Sequence, residues 1–234
     1  MAAGLEITNT SGKVIFGRGY RHFRCTQKVT RQIANGSYFI LTTSNTPVIY
    51  VQKDNGMFQP KTGSFLNNPT VFIGEVSHGG NAVFARSTPF STANEFGRLY
   101  VNSTSVAAGT LISVTYYVFD TTFPSSASSR FGLQIFDAQG NCEFNATDGV
   151  MRVVAQSSVP ANDTWTLPIT SGRKWATMIS GVQYYAIGGS VYGPGIGNNG
   201  TRVSVRGIFL FTGNSTGSNP RPATRAVTID VSGL

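Results

Sequence analysis

The chain is poor in the residues that most enzymes and redox proteins depend on. Among 234 residues it has two histidines, His22 and His78, and two cysteines, Cys25 and Cys142. Two cysteines in different halves make no disulfide framework, and no Cys-x-x-Cys or Cys/His spacing offers a zinc site. No serine sits in a Gly-x-Ser-x-Gly elbow, so a Ser-His-Asp triad has no visible scaffold. Charge is also scarce, at 12% of residues. The ten carboxylates fall mostly in turn sequences such as KDNG, FDAQG and NATDG, where Asp shapes the backbone. The composition therefore argues against an enzyme and implies no catalytic residue, no cofactor and no metal. No apolar run approaches the roughly 18 residues of a membrane span. The opening MAAGLEITNTSGKVIF lacks the charged leader and apolar stretch of a signal peptide. These absences lead us to expect a soluble protein made in a cytoplasm, with no membrane insertion.

What is present points to strands. There are 27 Gly, 16 Phe and 9 Tyr, and β-branched and aromatic residues dominate the apolar runs while good helix formers rarely cluster. Short runs such as GSYFILTT, TVFIGEV, RLYVNS and TLISVTYYVFD are bounded by Gly, Pro or Asn. In the last of these, Val114, Tyr116 and Val118 alternate with Ser113, Thr115 and Tyr117, as a strand requires. The fold class is all-β.

Net charge is +8, made of ten basic minus five acidic residues before Arg130 and eight minus five from there on. The densest basic stretch, GRGYRHFRCTQKVTR, carries Arg18, Arg21, Arg24, Lys28 and Arg31 without an acid. With so little total charge it reads as a solvated strand-and-loop edge, or a contact with an acidic protein, rather than a nucleic-acid track.

Self-similarity organises the chain. Gly4–Cys25 and Gly132–Val153 align without a gap at an offset of 128, with Gly4/Gly132, Leu5/Leu133, Ile7/Ile135, Gly12/Gly140, Phe16/Phe144 and Arg24/Arg152 identical. Each copy reads as a hairpin: Leu and Ile two apart share a strand face, and Asn9 or Asp137 three residues before a Gly marks the turn. The segment DTTFPSSASSR between the halves reads as a Ser/Pro linker. The expected organisation is two tandem antiparallel β-sandwich domains, jelly-roll or immunoglobulin-like, related by a partial internal repeat. Their bounds are 1–124 and 131–234, with a linker at 125–130.

The Gly-rich stretch AIGGSVYGPGIGNNGTR lacks the Lys-Ser/Thr and helix of a phosphate loop and reads as a long β–β loop. Long loops on rigid sandwiches carry binding sites. Trp175, Tyr184, Tyr185 and Tyr192 flank this one and form the candidate interaction surface, for a sugar or a protein.

The segments GLEITNTSGKVIF and GLQIFDAQGNCEF resemble the opening of a poorly characterised family of tailed-bacteriophage structural proteins, in the pattern Gly-Leu-x-(Ile/Val)-x-(Asn/Asp)-x-x-Gly. Gly4, Leu5, Ile7, Asn9, Gly12 and Phe16 carry it in the first copy. Gly132, Leu133, Ile135, Asp137, Gly140 and Phe144 carry it in the second. Thr8 departs from the aromatic often found before the Asn/Asp, whereas Phe136 keeps it. The resemblance implies a virion protein of the tail tip, baseplate or fibre attachment region, with no catalytic residues to carry over. Its implied partners are other tail proteins and copies of itself, a trimer if it belongs to a fibre, with host-cell glycan as a further partner and no nucleic acid. The alternative is a carbohydrate- or receptor-binding module working through the loop aromatics.

Overall fold

The computed structural model describes residues 7–8, 14–16, 23–41, 49–52, 58–62, 70–78, 83–88, 97–120, 134–136, 142–145, 149, 151–159, 165–180, 185–187, 189–212 and 224–234. Among them there is no helix. The strands in chain order are β1 (Ile7–Thr8), β2 (Val14–Phe16), β3 (Arg24–Ala34), β4 (Tyr38–Leu41), β5 (Ile49–Gln52), β6 (Phe58–Thr62), β7 (Thr70–Ser77), β8 (Phe84–Thr88), β9 (Gly97–Asn102) and β10 (Leu111–Asp120). They continue as β11 (Gln134–Phe136), β12 (Cys142–Asn145), β13 (Val153–Val159), β14 (Trp165–Pro168), β15 (Trp175–Ser180), β16 (Tyr185–Ile187), β17 (Ser190–Asn198), β18 (Arg202–Thr212) and β19 (Thr224–Asp230).

Two large antiparallel sheets carry the core. One has six strands in the order β13-β19-β15-β7-β10-β3; the other has seven, β14-β18-β17-β8-β9-β4 with β16 beside β17. Residues from both sheets share one buried cluster, including Ile33, Leu41, Ile73, Ala85, Leu99, Val114, Ile196 and Val205. Each sheet reads the same from either end. Before residue 121 the succession from the outer edge inward is β3-β10-β7 in one sheet and β4-β9-β8 in the other; after residue 133 it is β13-β19-β15 and β14-β18-β17. The two sets meet in the middle, where Ile73 pairs with Thr177 and Ala85 with Ile196. All four residues are buried. The joint expected at 125–130 lies outside the described residues, and the two sets of strands on either side of it complete the same pair of sheets.

The two short hairpins have matching registers. Ile7 pairs with Phe16 and Thr8 with Val14, while Ile135 pairs with Phe144 and Phe136 with Cys142. Adding 128 to the first pair of registers gives the second, and the register shifts at the same step in both.

The six-stranded sheet is apolar on both faces. Ile112, Val114, Tyr116 and Val118 of β10 face the shared core, and Tyr117 and Phe119 face a second cluster with Phe72, Ala176, Ile229 and Val231. Phe72 and Phe119 meet edge to face at 5.4 Å there, a preferred aromatic geometry. A bulge in β7 serves both faces: Val114 opposes Val76 and Tyr116 opposes Ile73, so three steps on β7 match two on β10. Ile73 and Val76 therefore both reach the shared core.

The sheet also rolls at one end. Six flat strands at about 4.8 Å would hold the outer two about 24 Å apart. Yet Cys25 N–H donates to Gly149 O at 2.7 Å and Met151 N–H to Phe23 O at 2.8 Å, joining the starts of the two outermost strands. The second cluster fills this rolled end, and Leu234 closes it against Gly149, where a Cβ would lie 2.1 Å from Leu234 Cδ2.

Asn35 ties the β3–β4 turn to the β9–β10 loop. Its Nδ2 donates to Ser103 O at 3.0 Å, Val106 O at 2.7 Å and Ala107 O at 3.3 Å, and its Oδ1 accepts from Ser103 N–H at 2.8 Å. The turn itself needs Gly36, whose φ is 83°.

Two substitutions test this packing in urea unfolding. Asn35→Ala strands the buried Ser103 N–H and its carbonyl partners, and is expected to cost about 2 kcal/mol. Gly74→Ala places a Cβ 2.8 Å from Tyr117 Cε2 and 3.1 Å from Thr115 O, and is expected to cost about 1–3 kcal/mol. A midpoint unchanged in either variant contradicts the account.

Candidate functional site

Of the four aromatics expected to form a surface, Trp175 and Tyr192 have described side chains. Trp175 opens β15 in the six-stranded sheet and packs half-buried against the shared core. Its carbonyl accepts from Asn198 Nδ2 at 2.7 Å, and its buried Nε1 has no hydrogen-bond partner among the described residues. Tyr185 and Tyr192 are register partners in β16 and β17. Tyr192 is four residues from the core residue Ile196 along β17, so it lies on the core-facing side of the seven-stranded sheet. Six residues, about 20 Å of strand, separate Tyr192 from Asn198, which touches Trp175. Tyr184 lies outside the described residues.

The Gly-rich stretch is not the loop expected of it. Ser190–Asn198 is a nine-residue strand paired along its length with β18. Tyr192, Pro194, Ile196 and Asn198 alternate with Gly193, Gly195 and Gly197, so one face keeps a core-facing period of two while the other carries no side chains. Pro194 stands opposite Gly207 of β18.

The basic stretch around β3 falls at a sheet edge, with Arg18 and Arg21 outside the described residues. Lys28 Nζ stands 5.8 Å from the Tyr117 ring centroid and donates to Leu234 O; the Arg31 guanidinium stands 5.4 Å from the Phe39 ring centroid. Contacts of this kind are worth about 0.5–1 kcal/mol at exposed sites, and cationic side chains on an outer strand discourage edge pairing with another chain. Cys25 lies in the second cluster, where burial pushes its thiol up, the opposite of a reactive cysteine. His78 Nδ1 is 3.1 Å from Leu111 O in a turn. Among the described residues no three of His, Cys, Asp or Glu cluster as metal ligands would.

Sequence reasoning missed the pairing of Tyr38 with Tyr100 on the outward face of the seven-stranded sheet. Phe39, Leu99 and Ala85 belong to the core side, so the register sets Tyr38, Tyr100 and Arg86 side by side across β4, β9 and β8 on the other. Tyr38 and Tyr100 contact at 5.3 Å between centroids, tilted by 41°, and Tyr38 is 48% exposed. Arg98 follows Tyr100 on the same face, opposite Ile40 and Thr88. On β18 the same face carries Arg202, Ser204 and Arg206, the last two opposite Gly197 and Gly195. No Asp or Glu occupies any position that the register places on this face. The signal was present as alternation in SYFIL, RLYVN and FARST, where Tyr and Arg take the positions between core residues.

Asp230 holds a separate basic corner at the end of β19. Its side chain is 5% exposed, accepts from Arg173 Nη1 and from Ser232 N–H, and has Arg152 Nη1 at 3.7 Å. Burial opposes its ionisation, but the hydrogen bonds from Ser232 and the Arg173 guanidinium outweigh it and hold the carboxyl below its ordinary value of 3.8. The stability this carboxylate contributes is therefore complete above the ordinary value and is lost as pH falls through it toward the lowered one. Stability measured from pH 6 down to pH 2 should fall less steeply in Asp230→Asn than in the parent chain; parallel curves would contradict the assignment. Comparison with protein-family models, with curated proteins and with solved structures finds no match to this chain.

Proposed function

We propose that the chain is a non-enzymatic structural protein of a bacteriophage tail, in the tail tip, baseplate or fibre attachment region, assembled with other tail proteins and with copies of itself. The observation that carries this reading is the doubled hairpin. The Gly-Leu-x-Ile-x-Asn/Asp-x-x-Gly segments that resemble tail-protein openings take the same register twice, at Ile7/Phe16 and Ile135/Phe144. Together with the mirrored strand orders, this supports a duplicated β-sandwich unit of about half the chain. Within each unit the first and second long strands sit in different sheets, in the orders 1-6-3 and 2-5-4. That order favours a rolled, jelly-roll-like ribbon over an immunoglobulin-like domain, in which the first two strands are sheet neighbours.

The second reading, a carbohydrate-binding module, draws support from a different place than the loop aromatics. Tyr38 and Tyr100 form an aromatic pair on an outward sheet face, and such residues give large contact area at low entropic cost.

Antibody labelling of the intact phage particles that encode this chain tests the leading reading. Label on the tail, with the purified chain binding itself or a tail protein, is the expected result. A strictly monomeric chain that is absent from purified particles contradicts it.

A further inference from the structure

We infer that β13 is an open sheet edge that pairs with β13 of a second copy of this chain, antiparallel, about a two-fold axis at Gln156. The outer strands of the two large sheets are β3 and β13 in one, β4 and β14 in the other. An open outer strand invites pairing with another chain, and shortness, cations or proline discourage it. Three of the four carry such a device. β4 and β14 have four residues each, β14 ending in Pro168, and β3 carries Lys28 and Arg31, both exposed. β13 has seven residues, Val-Val-Ala-Gln-Ser-Ser-Val, with no charge and no proline.

The free side of β13 is also uncovered. The backbone bonds that close the rolled end stop at Gly149 and Met151. From Val153 on, β19 is the one strand paired with β13 among the described residues. Val153 is 50% exposed and Val154 41%, two apolar side chains in solvent at the strand's single bulge. Past that bulge Ala155–Val159 runs regularly against Thr224–Thr228, with Gln156 and Ser158 exposed.

The same features name the occupant. Full antiparallel overlap of two β13 strands sets Gln156 against Gln156, Ala155 against Ser157, Val154 against Ser158 and Val153 against Val159. No charge opposes a like charge anywhere in that register, which matters in a chain of net charge +8. Pairing through β3 instead brings the cations of two copies together. At the axis each Gln156 amide both donates and accepts, so it can bond its twin. One strand pair buries less than the roughly 1,200 Å² of a stable interface, so the free dimer is weak. Copies held in one assembly meet at a much higher effective concentration. The inference thus rests on the self-assembly in the tail reading and names the strand that performs it.

Sedimentation of the purified full chain up to about 1 mM, the affinity range of a weak dimer, should show a monomer–dimer equilibrium. Gln156→Lys and Gln156→Glu each place like charges together on the axis and should weaken the dimer several-fold. An equimolar mixture of the two should dimerise more strongly than either alone, which a head-to-tail contact does not produce. Gln32→Lys, at an exposed position of β3, should leave the equilibrium unchanged. Thermal melts establish that the variants fold. If they do not, amide exchange of the parent chain decides, slowing at Ala155–Val159 as concentration rises. No dimer at 1 mM, a Gln156→Lys chain as dimeric as the parent, or a mixture that does not recover overturns the inference. A chain that is found on the tail but stays monomeric, or associates through another surface, overturns this inference alone. A chain that dimerises through β13 but is absent from particles overturns the tail assignment alone.

Discussion

Where Ile73 meets Thr177 and Ala85 meets Ile196, four strands that would otherwise be sheet edges become interior ones. An open strand edge presents unpaired N–H and C=O groups to any other chain, and a six-strand sandwich of about a hundred residues has two such edges on each side. The β15–β7 and β17–β8 pairings place these four strands inside the two large sheets. The residues at the join are among the most buried in the molecule, with Ile73, Ala85 and Thr177 fully inaccessible. Thr177 can be polar there because its hydroxyl pairs with that of Thr228 at 2.9 Å, a buried polar pair that is satisfied rather than stranded.

The remaining architecture answers what the join leaves open. The outermost strands of the six-stranded sheet begin close enough to exchange two backbone hydrogen bonds through residues 23–25 and 149–151. That curl creates the second cluster and gives the sheet an apolar far side. It also explains the demands on particular glycines: Gly74 sits under the Tyr117 ring and Gly149 under Leu234. Along β3 the cations Lys28 and Arg31 lie over aromatic rings at the edge. The seven-stranded sheet has one face on the core, and its register places Tyr38 and Tyr100 on the other.

Much of this was legible in the residues. The strand class followed from composition, and Ile7/Ile135 and Phe16/Phe144, aligned in the sequence, take matching register positions in their two hairpins. The Ser190–Asn198 strand was not legible, because Gly and Pro normally punctuate loops. Here Tyr192 and Ile196 supply the core-facing period and the neighbouring strands supply the hydrogen bonds. The placement of Tyr192 was hidden for a related reason. Alternation says that neighbouring residues face opposite ways, but not which way is out; only the pairing of Ile196 with Ala85 fixes that, and it turns Tyr192 inward. The same pairing turns Tyr38 and Tyr100 outward, and their separation by more than 60 residues in the chain hid them from a reading that looked for aromatics near one loop.

Native-state amide hydrogen exchange on the full chain reads the central pairing most directly. If β7, β8, β15 and β17 are interior strands, the amides of Ile73, Ala85, Thr177 and Ile196 exchange only through global unfolding, as slowly as those of Val114 and Ile229. If each half instead stands alone, these four strands are edges, and their amides exchange early, alongside those of the outer strands β3 and β13.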